Sequence, residues 1–185
     1  MKKTVPFLLA FFMTHAASAA EPSCAQQLGP KQSAMLVAQC IQASPATHPP
    51  CNAANSCAMV IGEIERGCNL LHGQSYEPGF CKVVDMPKGT RRATGVLMPS
   101  GGGDDAFLRI MTEGGVQLGG FCLAGSGCDT WFGEGGDGEP PVVLDKKLRG
   151  RRAQIEFVTE PNRGRIEGAD ERDVLTFVKR ATLLK

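Results

Sequence analysis

Two groups of side chains in this 185-residue sequence have types and spacing suited to chemistry: eight cysteines and a dense run of cations. The cysteines are Cys24, Cys40, Cys51, Cys57, Cys68, Cys81, Cys122 and Cys128, and the cations are Lys146, Lys147, Arg149, Arg151 and Arg152, five bases in seven residues. An even thiol count in a chain that meets an oxidising compartment reads as four disulfides. Zinc is the rival chemistry. It is disfavoured because no CxxC pair occurs and only His48 and His72 follow residue 20, so no metal and no cofactor is implied. The basic run either holds an anionic ligand, such as a nucleic-acid strand, an acidic glycan or an acidic protein surface, or forms a solvated edge whose charges discourage strand pairing. Trp131, the single tryptophan, is a second candidate contact if exposed and a core residue if not.

Catalytic groups are sparse. A Ser-His-Asp or Cys-His site needs an imidazole within reach of its nucleophile, and no histidine follows His72. His48 lies in a Thr-His-Pro-Pro turn beside Cys51, and His72 falls at the expected end of a helix, where it suits the negative end of the helix dipole. The stretch from Gly133 to Gly138 matches GxGxxG in letters, but Glu139-Pro140-Pro141 stands where a phosphate-binding helix would have to begin. Asp129, Glu134, Asp137 and Glu139 offer oxygens to calcium without the spacing of an EF-hand. No catalytic residue is assigned.

The oxidising compartment is expected from residues 1–20. Lys2 and Lys3 form a basic head, Val5 to Met13 is an apolar run, and Ala17-Ser18-Ala19-Ala20 is a small-residue cleavage region. The apolar run has about half the length needed to span a bilayer, and no later segment is apolar for long enough. Removing Lys2 and Lys3 leaves 18 basic against 19 acidic residues, so no global field draws the mature chain to nucleic acid or anionic lipid. A sequence 42% hydrophobic and 21% charged is neither disordered nor fibrous.

The elements that must position these groups change character once along the chain. Six of the eight cysteines lie within residues 24–81, whereas most of the glycines come after Cys81. We therefore expect a cysteine-rich helical domain over 21–82 and a β domain over 83–185. Gly29-Pro30 opens a helix over Lys31 to Ala43, and Asn55 or Ser56 caps a second running to about Leu71 and ending at Gly73. Cys57, Ile61, Ile64, Cys68 and Leu71 form one apolar stripe on that second helix. Cys57 and Cys68 stand about 16 Å apart along it and cannot bond to each other. If the helices form an antiparallel hairpin, Cys40 pairs with Cys57, Cys24 with Cys68, and Cys51 with Cys81, one of fifteen possible connectivities. Cys122 and Cys128 suit a local bridge. Strands are expected at Thr90 to Met98, Ala106 to Glu113, Gly115 to Leu123, Arg152 to Val158 and Val174 to Leu184, the second and third joined at Gly114-Gly115. The fold class is α+β: a disulfide-stapled helical hairpin followed by a small β-barrel, OB-like or SH3-like.

From Cys40 through His48-Pro49-Pro50-Cys51-Asn52, Cys57 and Glu63-Ile64-Glu65-Arg66-Gly67-Cys68 to Phe80-Cys81, the sequence resembles small exported cysteine-rich proteobacterial proteins of unknown function. The later half resembles an OB-like barrel by strand pattern. Neither likeness transfers a functional residue. The expected function is that of a periplasmic or secreted non-enzymatic binding protein, inhibitor- or immunity-like, whose partner is another exported protein or an anionic polymer. The alternatives are an oligonucleotide or acidic-glycan binder using the 146–152 stripe, and an envelope hydrolase using His48 or His72.

Overall fold

The computed structural model describes residues 21–44 and 49–185, so the leader reading of 1–20 and the His48 turn lie outside the described residues. Helix α1 (Cys24–Ala43) begins earlier than Gly29-Pro30 implies because Ser23 and Gln26 form a capping box. The Ser23 Oγ accepts the Gln26 N–H at 3.2 Å, and the Ser23 N–H donates to Gln26 Oε1 at 2.9 Å. The helix kinks at Gly29, whose φ of 79° and ψ of 169° leave the helical region and let Pro30 open the second segment. Helix α2 (Cys57–Leu71) is capped by Ser56 and buries Cys57, Val60, Ile61, Ile64, Gly67 and Cys68 along the expected stripe.

The antiparallel arrangement of these helices is corrected by the structure. The start of α1 meets the start of α2, with Cys24 bonded to Cys57 across 4.4 Å between Cα atoms. The end of α1 lies against the later part of α2, where Ser44 donates to Glu63 and Ala43 abuts Gly67. The two helices run in the same general sense, and residues 51–56 lead back from the end of α1 to the start of α2. Cys40 consequently meets Cys51 on the returning segment at 5.4 Å, and Cys68 meets Cys81 beyond the end of α2 at 5.3 Å. The expected pairs Cys40–Cys57, Cys24–Cys68 and Cys51–Cys81 do not form, whereas Cys122–Cys128 does, at 5.8 Å. Loop-closure entropy ranks the bridges: Cys24–Cys57, with a sequence separation of 33, contributes about 4 kcal/mol, and Cys122–Cys128, with a separation of 6, about 2 kcal/mol.

The β part comprises β1 (Gly89–Leu97), β2 (Gly101–Gly102), β3 (Phe107–Thr112), β4 (Gln117–Cys122), β5 (Phe132–Glu134), β6 (Val142–Leu144), β7 (Arg152–Pro161) and β8 (Val174–Leu183). Five of these close a barrel in the order β1-β3-β4-β8-β7, with β7 returning to β1, and β2, β6 and β5 form a small side sheet. The barrel joins are antiparallel except β4 to β8, which is parallel at Phe121↔Phe177 and Cys122↔Val178. A three-strand meander followed by two strands in exchanged order, closed by one parallel contact, is the OB-like arrangement rather than the SH3-like one. Strict alternation on β7 turns Ala153, Ile155, Phe157 and Thr159 inward.

There are two cores. One fills the barrel with Leu97, Leu108, Ile110, Leu144, Ile155 and Phe157. The other lies between the helices and the outer side of the barrel, where Val96, Met98 and Met111 pack with Leu36, Ile61 and Ile64. The helical segment thus covers a barrel face and draws part of its apolar burial from it, which suits a piece too short to build a comfortable core alone.

Two glycines on α2 test this packing. A Cβ on Gly67 would lie 2.4 Å from the Ala43 carbonyl oxygen, whereas one on Gly62 meets nothing within 4 Å. Gly62→Ala is expected to stabilise by about 1 kcal/mol through helix propensity. Gly67→Ala is expected to destabilise, because about 1–3 kcal/mol of overpacking outweighs the same gain. Urea unfolding of both variants checks the contrast, and similar shifts in the same direction would contradict the helix–helix contact.

Candidate functional site

The basic run sits in a short loop that the surrounding structure holds on three sides. Asp145 caps a single 3₁₀ turn, Lys146–Leu148, its carboxylate accepting the Lys147 N–H at 2.9 Å. The Asp145 N–H in turn donates to the Trp131 carbonyl at 2.9 Å. After the turn, the Gly150 N–H donates to the Leu97 carbonyl at 2.9 Å, and the Leu97 N–H donates to the Arg151 carbonyl at 2.8 Å. From the helical side, the Gln27 Nε2 donates to the Gly150 carbonyl at 2.9 Å. Gly150 has a φ of 80°, and a Cβ there would lie 2.7 Å from the Cys57 Cβ, so both conformation and space require glycine.

This docking brings Lys146, Lys147, Arg149 and Arg151 around a cleft of about 320 Å³. Its opposite wall includes Ser56 and Ala58 at the start of α2. That helix carries no acidic residue in its first turn, so the positive end of its dipole adds to the field of the four side chains. Among the described residues Glu21 is the one acidic residue of the cleft wall. Lys146 and Arg149 share Glu139, at 3.2 Å and 3.9 Å. The Glu139 carboxyl is held below its ordinary range by the Gly136 N–H first and by Lys146 second. Among the described residues neither Lys147 nor Arg151 lies within ion-pair distance of a carboxylate, which leaves two unpaired cations at the cleft.

The fifth member of the stripe goes elsewhere. Arg152 begins β7, where successive side chains take opposite faces, and its guanidinium pairs with Glu113 at 3.1 Å beside a separate cavity under α1. Trp131 is also not a cleft contact. It is 8% exposed and packs in the barrel core, so its expected place among ligand contacts is corrected: its indole is core, and its backbone carbonyl helps hold the basic loop.

Neither His72, nor Asp129, nor the Gly133–Gly138 stretch is among the described residues that line the cleft. His72 is the C-cap of α2, with its side chain 85% exposed and its Nδ1 3.6 Å from Glu77. The GxGxxG letters run from the end of β5 into its connection with β6, where the Gly135 N–H donates to the Pro141 carbonyl. Asp129 accepts the N–H groups of Gly125 and Gly127, at 3.0 Å each, inside the Cys122–Cys128 loop. Among the described residues no group of three or more His, Cys, Asp or Glu side chains is arranged to hold a metal ion. The contribution of Ser56, Ala58 and Gln27 to the cleft carried no sequence signal, because it depends on how the loop docks on the helices.

The chain matches no protein-family model, no curated protein and no solved structure. The functional reading therefore rests on the site itself.

Gly150 supplies a direct check on the docking. Gly150→Ala forces a left-handed conformation on a residue with a Cβ and pushes that Cβ against Cys57, and is expected to cost about 1–3 kcal/mol in thermal unfolding. Gly125→Ala, at a left-handed position with nothing within 4 Å, is expected to cost less, about 1 kcal/mol. Equal costs would mean that loop and helix are not in contact.

Proposed function

We propose that this is an exported, non-enzymatic binding protein, periplasmic or secreted, which holds an acidic group of another exported macromolecule in the cleft between the 146–151 loop and the start of α2. An inhibitor- or immunity-like role is the concrete form of this reading. Its main support is the convergence of four cations, two of them unpaired, on a helix start with no first-turn acid. Four disulfides suit an oxidising compartment, and no helix among the described residues is long and apolar enough to cross a membrane.

Two observations favour capture over hydrolysis. His72 caps the far end of α2, whose fifteen residues span roughly 22 Å at about 1.5 Å per residue, so its imidazole is remote from the cleft. Among the described residues the cleft wall also contains no serine, threonine or cysteine except Ser56, whose hydroxyl accepts the Met59 N–H at 3.3 Å as a helix cap.

A compact acidic group fits better than an extended strand of nucleic acid. Binding of single strands combines a charged groove with aromatic rings on which bases stack. Among the described residues no aromatic side chain lines this cleft. The aromatic cluster of the barrel is elsewhere: Phe107 meets Phe121 at 5.0 Å between ring centroids, and Arg165 covers Phe177 at 3.8 Å.

The test compares an oligoglutamate peptide with a single-stranded oligonucleotide of equal charge, both titrated into mature oxidised protein at low salt. Lys147→Gln with Arg151→Gln is expected to weaken peptide binding at least tenfold, and raising the salt to weaken binding of the parent. Arg152→Gln is expected to leave affinity within about twofold, because that guanidinium faces away. Equal losses from both changes, or none from the double change, would overturn the proposal. Tighter binding of the oligonucleotide would favour the nucleic-acid reading instead.

A further inference from the structure

Glu21 and Pro22 line the same cleft as Lys147 and Arg151. The residues just C-terminal to them fix their position. Ser23 caps α1, Cys24 is bonded to Cys57, the Cys24 N–H donates to the Asn55 carbonyl at 2.6 Å, and the Ala25 N–H donates to the Ala53 carbonyl at 3.0 Å. Glu21 is three residues from a covalent tie to the first residue of α2, so its backbone nitrogen is held near the helix start.

The cleavage region read from the sequence ends at Ala19 or Ala20, immediately before this residue. We infer that the α-ammonium created by leader removal is a binding group of the cleft, a fifth cation that the precursor lacks. The inference rests on the anion-binding reading above and deepens it. The step is a peptidase-catalysed hydrolysis: one water is consumed, the carboxylate leaves with the leader, and the nitrogen stays on the mature chain as an amine that takes up a proton. Before cleavage that nitrogen is an uncharged amide, and the Glu21 carboxylate opposes the four basic side chains. After cleavage the ammonium stands beside that carboxylate and offsets it. The anion site is therefore complete only in the exported, processed protein.

The pH dependence is distinctive because a free α-amino group is a different titrating type from the carboxylate, lysine and arginine side chains that line the cleft among the described residues. The charged groups facing the new terminus are Glu21 on its own segment and Lys146, Lys147, Arg149 and Arg151 on the loop, with Glu139 behind Lys146 and Arg149. The first turn of α2 adds no acid. Carboxylates titrate near pH 4 and lysine and arginine above 10, whereas an α-amino group titrates at about 7.7–8.0.

The experiment uses oxidised protein beginning at Glu21, with a free or an acetylated terminus, titrated with the same oligoglutamate peptide. The free-amine form is expected to bind about three- to tenfold more tightly at pH 7, and the gap to close towards pH 9.5 with a midpoint near 8. Glu21→Gln in the acetylated form is expected to recover a gain of similar size, since it removes the opposing carboxylate. Equal affinities of the free and acetylated forms at pH 7, or a gap that does not change with pH, would overturn the inference while leaving the cleft as an anion site. Absence of peptide binding by every form would instead mark failure of the anion-binding reading. Near-identical thermal unfolding of the two forms confirms that acetylation changes charge and not fold.

Discussion

Cys57 is the point on which the rest of the molecule depends. Its sulfur is bonded to Cys24, which ties the start of α1 to the start of α2. Its Cβ packs so closely on Gly150 that no side chain fits between them. One fully buried residue thereby joins the two helices to the loop carrying Lys146, Lys147, Arg149 and Arg151. The bridge lies across the longest sequence separation of the four, and in the chain-entropy account it restricts the unfolded chain most. A loop of like charges would otherwise repel itself and spread. Here it is anchored to a helix end, so that repulsion is converted into a standing positive potential at one cleft.

The barrel and the helices depend on each other. The outward residues Val96, Met98 and Met111 would be an exposed apolar patch on the barrel without the helices, and the helices would expose Leu36, Ile61 and Ile64 without the barrel. Buried polar groups mark the same seam. The Gln39 Nε2 reaches the Gly115 carbonyl at 3.1 Å, and Arg109 joins the seam to α2 through Glu65 at 2.6 Å. The ion pair between Arg109 and Glu65 is largely shielded from solvent, so breaking one partner costs more than removing both.

Much of this was legible in the residues themselves. Asn55-Ser56 before the Cys57, Ile61, Ile64, Cys68 stripe marked α2, and the alternation from Arg152 to Val158 marked β7, because local spacing decides which face a side chain takes. The disulfide partners were not legible in the same way. They depend on the relative direction of the two helices, which the spacing of residues along either helix does not encode. Trp131 illustrates the same limit: its neighbours in sequence are a glycine-rich loop, while its neighbours in space are Leu144 and the barrel core. The basic run was visible as a run, but its division into four clustered side chains and one turned away depends on where the loop ends and the strand begins.

The most direct test of the account is to track backbone amide resonances by nuclear magnetic resonance while an acidic peptide is added to the mature oxidised protein. The account places the largest shifts at residues 146–151 and at Gln27, Ser56 and Ala58, with the Phe107 and Phe121 strands unmoved. Shifts centred on those two strands, or none near the basic loop at saturating peptide, would contradict it.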